Sequence, residues 1–299
     1  MSKLTKLLLL ALVGCVFPLH SKSQTPGPGN QILSVTANVE ADVSHSTQKK
    51  GTFFITPFYE FTRFKKLELV SHTNNYMLWQ GETSYDFTSD EIKKYNDNYG
   101  TEYTNSMTAV KVGYQLVDGL GVSGYAGVNH FDFKSWVSEG NTQTVSTKYP
   151  ALTLGLSVDY VKRIGEKLAA MAMGSYNYCN TGTVAVDNNS GQDITSSSLK
   201  SMYWEMNLVL AYPCRKLLPY VGVGFTQQFV NSVHEEKIPT TNNQGEEVFN
   251  YTEFNSHFRG SAFYGFAGVS YRFAQNLSIY ARSSFLNPLR ANVGLRIVL

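Results

Sequence analysis

Ala151-Leu152-Thr153-Leu154-Gly155-Leu156-Ser157-Val158-Asp159-Tyr160-Val161-Lys162 alternates with a period of two. Leu152, Leu154, Leu156, Val158 and Tyr160 share one face, while Thr153, Gly155, Ser157 and Asp159 share the other. Successive side chains of a strand point to opposite sides, so this stretch reads as a ribbon with one apolar and one polar face. The pattern returns in 217–230, where Val221, Val223, Phe225 and Phe229 oppose Tyr220, Gly222, Gly224, Thr226 and Gln228. It returns again at 291–299, with Ala291, Val293, Leu295, Ile297 and Leu299 against Asn292, Gly294, Arg296 and Val298.

Working outward, ten such segments are predicted, at 53–64, 107–117, 120–131, 151–162, 167–178, 202–212, 217–230, 258–273, 276–285 and 291–299. Met171 and Met173 fall on the inward face of theirs. Pro57 deletes a ladder donor inside the first segment, where a bulge is expected. The 120–131 segment is expected to slip register near its end. Connections alternate in length. Asp118-Gly119 is a two-residue hairpin turn of the primed type, and 163–166, 213–216 and 274–275 are also brief. Between them lie 65–106, 132–150, 179–201 and 231–257, read as long polar loops, and then 286–290, which is short.

Composition narrows the class. The chain has 299 residues, of which 16% are charged and 13% aromatic, with 24 glycines. Low charge with many aromatics argues against disorder and against a coiled coil. A net charge of +2 leaves no nucleic-acid footprint. No apolar run reaches the ~18 residues a membrane helix needs.

The N-terminus reads as an address. Lys3 and Lys6 precede an apolar stretch from Leu7 to Phe17, and Ser21-Lys22-Ser23 offers a small-x-small cleavage site. Residues 1–23 are therefore expected to be a signal peptide. Leu12-Val13-Gly14-Cys15 gives the competing reading of a lipoprotein box with Cys15 lipidated. Residues 24–50 are expected to be a periplasmic linker or arm, whose Ile32–Val39 patch is a strand, a plug or free.

Even strand number with short turns at one end and long loops at the other resembles a small outer-membrane β-barrel of Gram-negative bacteria, of the Bacteroidota kind. The residues carrying the resemblance are Ser23-Gln24-Thr25, Tyr220-Val221-Gly222-Val223-Gly224-Phe225 and Asn292 to Leu299, although such barrels usually end in an aromatic. The resemblance implies an all-β fold, a single antiparallel up-and-down transmembrane barrel over 51–299 with about ten strands, or twelve as the alternative. It implies an integral place in the outer membrane, with lipid and lipopolysaccharide as partners. Tyr59, Phe61, Tyr176, Tyr178, Tyr212, Phe229, Tyr271 and Phe273 then read as interfacial girdles. A soluble β-sandwich fits the alternation but not the short/long rhythm of the connections.

With the apolar face on lipid, the polar face encloses Glu60, Lys111, Asp159, Glu205, Arg272, Arg282 and Arg296. Unpaired buried charge is costly, so these are expected to pair or stay hydrated. Tyr125, Tyr203, Tyr220, Tyr264 and Tyr280 add bulk, so a narrow, largely filled lumen is expected. A passive porin-like channel is the alternative. Cys179 and Cys214 fall at opposite ends, about 30 Å apart, whereas a disulfide needs Cα atoms within about 7 Å. They are expected to be free.

Function is expected in the loops, as a structural or adhesin-like surface-binding role. The 65–106 stretch carries a charge balance of −3 and 231–257 one of −4. Tyr76, Trp79, Tyr85 and Tyr95, with Glu235, Glu236, Glu246 and Glu247, are candidate contacts for an extracellular protein or divalent cations. Ser89 to Tyr95 carries acids after a serine or threonine N-cap, the signature of a short helix. No cofactor or metal motif is present. Enzyme readings are weak. Omptin proteases are ten-stranded barrels with acid–acid and acid–histidine pairs at the rim, and the nearest feature here is His130-Phe131-Asp132, with Asp86 and His257 as further rim groups. Ser123, Ser175 and Ser278 face inward without a nearby histidine on the same strand.

Overall fold

The computed structural model describes residues 51–78, 81–138, 141–146, 151–164, 168–183, 185–188 and 194–299. The expected signal peptide, Cys15 and the 24–50 linker lie outside the described residues. The elements are β1 (Phe53–Leu78), β2 (Gly81–Asp86), α1 (Ser89–Asn98), β3 (Thr101–Val117), β4 (Leu120–Ser138), β5 (Asn141–Ser146), β6 (Ala151–Ile164) and β7 (Leu168–Thr183). They continue with β8 (Ala185–Asn188), β9 (Ile194–Ala211), β10 (Leu217–Thr241), β11 (Glu247–Ala274), β12 (Leu277–Ser284) and β13 (Leu289–Val298).

Ten of these strands close a ring, each antiparallel to the next, in the order β1-β3-β4-β6-β7-β9-β10-β11-β12-β13 and back to β1. Closure satisfies every backbone donor and acceptor inside the bilayer, which an open sheet edge cannot do. The turn Asp118-Gly119 and its counterparts at 213–216 and 275–276 mark the periplasmic end. β6 shows the alternation at its clearest, with Leu152, Leu154, Leu156, Val158 and Tyr160 exposed and the residues between them buried. A lower girdle holds Tyr160, Tyr212, Tyr271 and Phe273, and an upper one Tyr59, Tyr176, Tyr178 and Phe263, all exposed.

Three expectations need correction. Register runs without a shift through Pro57, whose neighbours pair in phase on both sides; the first shift in β1 against β3 falls between Phe64 and Leu67. The end of the 120–131 segment does not slip either, because β4 stays in phase with β3 from Gly121 to Lys134. The stretches read as long loops are largely wall. β1, β10 and β11 run for 26, 25 and 28 residues, while about 9–11 tilted residues cross a bilayer. The ladder persists above the lipid band because hydrogen bonding needs no apolar face. Only the hydrophobic half of the alternation stops there.

Above the turn at 285–288, β1 pairs directly with β11, from Glu68 with Arg259 to Met77 with Tyr251. The wall thus loses two strands outside the membrane. β2 adds to β1, β5 adds to β4, and β8 adds to β5. α1 forms where the cap signals placed it. The Glu91 N–H donates to Thr88 Oγ1, and the Thr88 N–H to Glu91 Oε2 at 2.8 Å, a reciprocal capping box. Asn96 of α1 then bonds both the N–H and the C=O of Leu69, at 2.8 and 2.9 Å, where β1 has parted from β3. Its side-chain amide stands in for a missing strand.

Candidate functional site

The inward faces of the ten strands fill the barrel in layers. Toward the periplasm, Val161, Met171, Met173, Val209, Leu218 and Phe266 belong to one apolar cluster. At mid-height, Phe58, Met107, Tyr125 and Tyr280 form a second on the opposite wall. Above the charged level, Phe64, Leu67, Tyr103, Phe131, Phe133 and Phe258 form a third, onto which Phe87, Ile92 and Tyr95 pack from the α1 segment. Glycines let four of these rings, Phe64, Tyr125, Phe266 and Tyr280, lie close against the wall. A Cβ at Gly155 would stand 2.0 Å from the Tyr125 ring, and one at Gly294 would stand 2.4 Å from the Tyr280 hydroxyl. Glycine in a strand is otherwise costly, and here it admits close approach.

Between these layers sits the charge. Glu60, Lys111, Asp159, Glu205, Arg282 and Arg296 are all buried, each no more than 4% exposed. Arg272 does not join them. It stands near the periplasmic end of β11, partly buried, with its N–H on the Lys216 carbonyl. The cation that takes its place is Arg290, which is fully buried and pairs with Glu205. The alternation predicted for the last segment starts one residue after it, at Ala291, and so does not include it.

The bonds run across the lumen. Tyr203 on β9 donates to Glu60 on β1 at 3.1 Å, and in the ring these strands are five places apart in either direction, diametrically opposed. Arg290 on β13 reaches Glu205 on β9 and donates to Thr226 on β10 at 2.8 Å. Arg282 on β12 donates to Asn207 on β9 at 3.1 Å, and Tyr264 donates to the same oxygen at 2.8 Å. The Asn207 amide donates to Glu205 at 2.5 Å. Arginine faces make up part of the missing solvation. The Arg282 guanidinium carbon lies 3.2 Å from the Phe266 ring centre, and that of Arg290 lies 5.3 Å from both Tyr203 and Tyr264. The Tyr203–Glu60 side-chain hydrogen bond joins one wall of the barrel to the opposite one. A concavity of about 560 Å³ opens on the lipid side, over Gly174 between Val158 and Leu208.

The profile of the family described as Autotransporter beta-domain matches residues 76–284. The chain belongs to this family. An autotransporter β-domain is an integral outer-membrane barrel, and the closed ring with its lipid-facing band is that architecture. Among solved structures it is similar to the outer membrane protein OprG of Pseudomonas aeruginosa, at 12% identity over 85% of this chain and 99% of that one, TM-score 0.41. It is similar to the translocator domain of the autotransporter NalP of Neisseria meningitidis, at 8% identity over 87% and 90%, TM-score 0.38. It is also similar to an outer membrane channel of Pseudomonas putida F1, at 10% identity over 92% and 100%, TM-score 0.38. No curated protein sequence is similar enough to count as a relative.

Outside the membrane this β-domain carries a polar layer that sequence reading missed. His72 bonds Ser256 at 2.7 Å, and His234 bonds Ser232 at 2.9 Å, both facing inward above the third apolar cluster. Their strands alternate polar with polar there, so nothing in the hydropathy marks an inner face. Burial lowers His72 below its usual value and pushes His234 down to about 4, with the His72 ring adding to the effect on His234. A histidine depressed on folding contributes stability that is complete above its unfolded value of about 6.5 and is lost as pH falls toward 4. The outer hairpin of β10 and β11 is therefore expected to exchange its amides faster at pH 4.5 than at pH 7, after correction for intrinsic rates. Equal corrected rates overturn this.

The remaining candidates scatter. Tyr76 faces the vestibule half-buried, and Tyr85 is exposed and donates to Glu91, which this bond and Thr88 hold below the usual carboxylate range. Tyr95 packs inward beside Phe258 and bonds Thr101 at 3.2 Å, so it is a packing residue. Trp79 and the side chains of Glu236 and Glu247 lie outside the described residues. Glu235 stands opposite Glu253, and Glu246 accepts from Asn242 at 3.1 Å. No group of three metal-ligating side chains occurs among the described residues. His130 and Asp132 sit exposed on the outer face of β4, while Asp86 accepts from Thr73 and His257 bonds Asn231. Cys179 is free within the third apolar cluster, and Cys214 is free and exposed in a periplasmic turn.

Proposed function

We propose that this β-domain is a non-conducting outer-membrane anchor whose work is done by the wall above the membrane. The observation that carries this is the Tyr203–Glu60 bond between opposed strands, with an apolar layer on either side of the charged level. Hydrated ions cannot cross a dry, close-packed layer, because each would shed its shell without replacement. The surface available for contact is then β2 with α1, carrying Glu82, Asp86, Asp90, Glu91 and Asp97, and the β10–β11 hairpin, carrying Glu235, Glu246 and Glu253. Acidic, aromatic-bearing faces suit a basic extracellular protein.

Reconstitution into planar bilayers is expected to give no steady single-channel steps. Stable unitary conductance overturns the reading in favour of a passive channel. Family membership supports a second reading, carriage of the segment N-terminal to β1 to the cell surface. An epitope tag between residues 24 and 50 that is reached by antibody on intact cells supports that reading, and one reached only after permeabilisation supports a periplasmic arm.

A further inference from the structure

The outward faces of β9, β10 and β11 change character rung by rung above the lipid band. Met206, Phe225 and Phe263 share one rung, and Trp204, Gln227 and Ser261 the next. Met202, Phe229 and Arg259 follow, then Lys200, Asn231 and His257. The lower rings are in mutual contact, Trp204 to Phe225 at 5.2 Å and Phe225 to Phe263 at 4.7 Å, and Phe263 is 79% exposed. The middle rung is tied by Trp204 to Gln227 and Gln227 to Ser261, both at 3.1 Å. Arg259 and Lys200 are exposed, and neither side chain makes an ion pair or hydrogen bond among the described residues. Glu68 stands opposite Arg259 in register without forming an ion pair to it.

We propose that this face is a binding site for the phosphorylated glycolipid of the outer leaflet, with its acyl chains on the Phe263–Phe225 shelf and its phosphates at Arg259 and Lys200. The spacing supports it. Rungs on one face are about 6.8 Å apart, which puts Arg259 about 14 Å and Lys200 about 20 Å of strand beyond the aromatic shelf. Two strand spacings and one rung place Arg259 and Lys200 about 12 Å apart at the backbone. Two separated cations suit a headgroup carrying two separated phosphates better than a zwitterionic one, whose ammonium would meet them unfavourably. Arginine offers the planar fork that phosphate oxygens match, and lysine a mobile point charge. At the seam with β1 the exposed Phe285 and Leu286 extend the apolar shelf, the Phe285 N–H donating to the Gly265 carbonyl at 3.1 Å.

The test uses the purified full chain in detergent micelles with diphosphoryl lipid A, its dephosphorylated form and phosphatidylethanolamine, and native mass spectrometry reads the lipid retained. Diphosphoryl lipid A is expected to be retained about fivefold over its dephosphorylated form, the scale of two exposed ion pairs. Arg259→Gln with Lys200→Gln is expected to abolish that preference while heat-modifiable migration stays unchanged. Phe263→Ser is expected to weaken retention of both forms of lipid A. Equal retention of the two forms by the unmodified protein overturns the proposal without recourse to any variant. So does displacement of the bound lipid by millimolar pyrophosphate, which would mean that a free anion suffices, or a double variant that keeps its preference.

Discussion

Glu205→Ala is expected to cost about 3–5 kcal/mol of barrel stability, the scale for stripping one partner from a buried ion pair. Glu205 and Arg290 are both essentially inaccessible. Without the carboxylate, the guanidinium keeps only the Thr226 hydroxyl as an acceptor and its ring contacts with Tyr203 and Tyr264. Asn207 loses its acceptor as well, and it also holds Arg282 and Tyr264, so the damage spreads along β9 to β11 and β12. Urea unfolding in lipid vesicles, followed by tryptophan fluorescence, measures the loss. The double replacement Glu205→Leu with Arg290→Met is expected to recover most of it, because a buried pair exchanged for apolar side chains is often near neutral. A loss below about 1 kcal/mol for Glu205→Ala would mean that the pair is hydrated rather than dry.

Leu156→Arg is expected to block membrane assembly. Leu156 is 66% exposed midway along the lipid-facing side of β6, between the Tyr160 rung and Leu152. A cation at the midplane of a barrel's lipid face costs about 2–4 kcal/mol, and the penalty falls to about 0–1 near the interface. Leu152→Arg, nearer the outer edge of the band, is expected to assemble with a smaller deficit. Heat-modifiable migration of membrane-inserted protein reads both variants. Equal assembly of the two would mean that the apolar face of β6 is not against lipid, and with it the inside-out assignment of the barrel would fail.

Both predictions separate what was readable from what was not. The face assignment behind Leu156→Arg stands in the residue order. A period of two with one apolar face fixes which side of β6 meets an apolar medium, and the same reasoning located Glu60, Lys111, Asp159, Glu205, Arg282 and Arg296 on the other side. The capping box at Thr88 and Glu91 was equally local, since its partners are three residues apart. Arg290 was missed because a strand end is set by pairing with β1 and β12, and its own neighbours Pro288 and Leu289 give no alternation to extend. Parity alone puts Arg272 in the network, and parity does not tell the middle of a barrel from its rim. The outer wall reads as loops because polar strands such as 231–241 lose the hydrophobic half of the pattern while keeping the ladder.

What the sequence settles by itself is therefore the ribbon: where each membrane strand runs, which face is apolar, where the short turns fall, and how α1 starts. Each depends on residues a few positions apart, for which strand and helix geometry supply the distance in advance. What the tertiary structure decides is the inside. Tyr203 meets Glu60, and Arg290 meets Glu205, across 143 and 85 residues of chain. Those distances depend on strand number and stagger around the closed ring, and no run of neighbouring residues encodes either one.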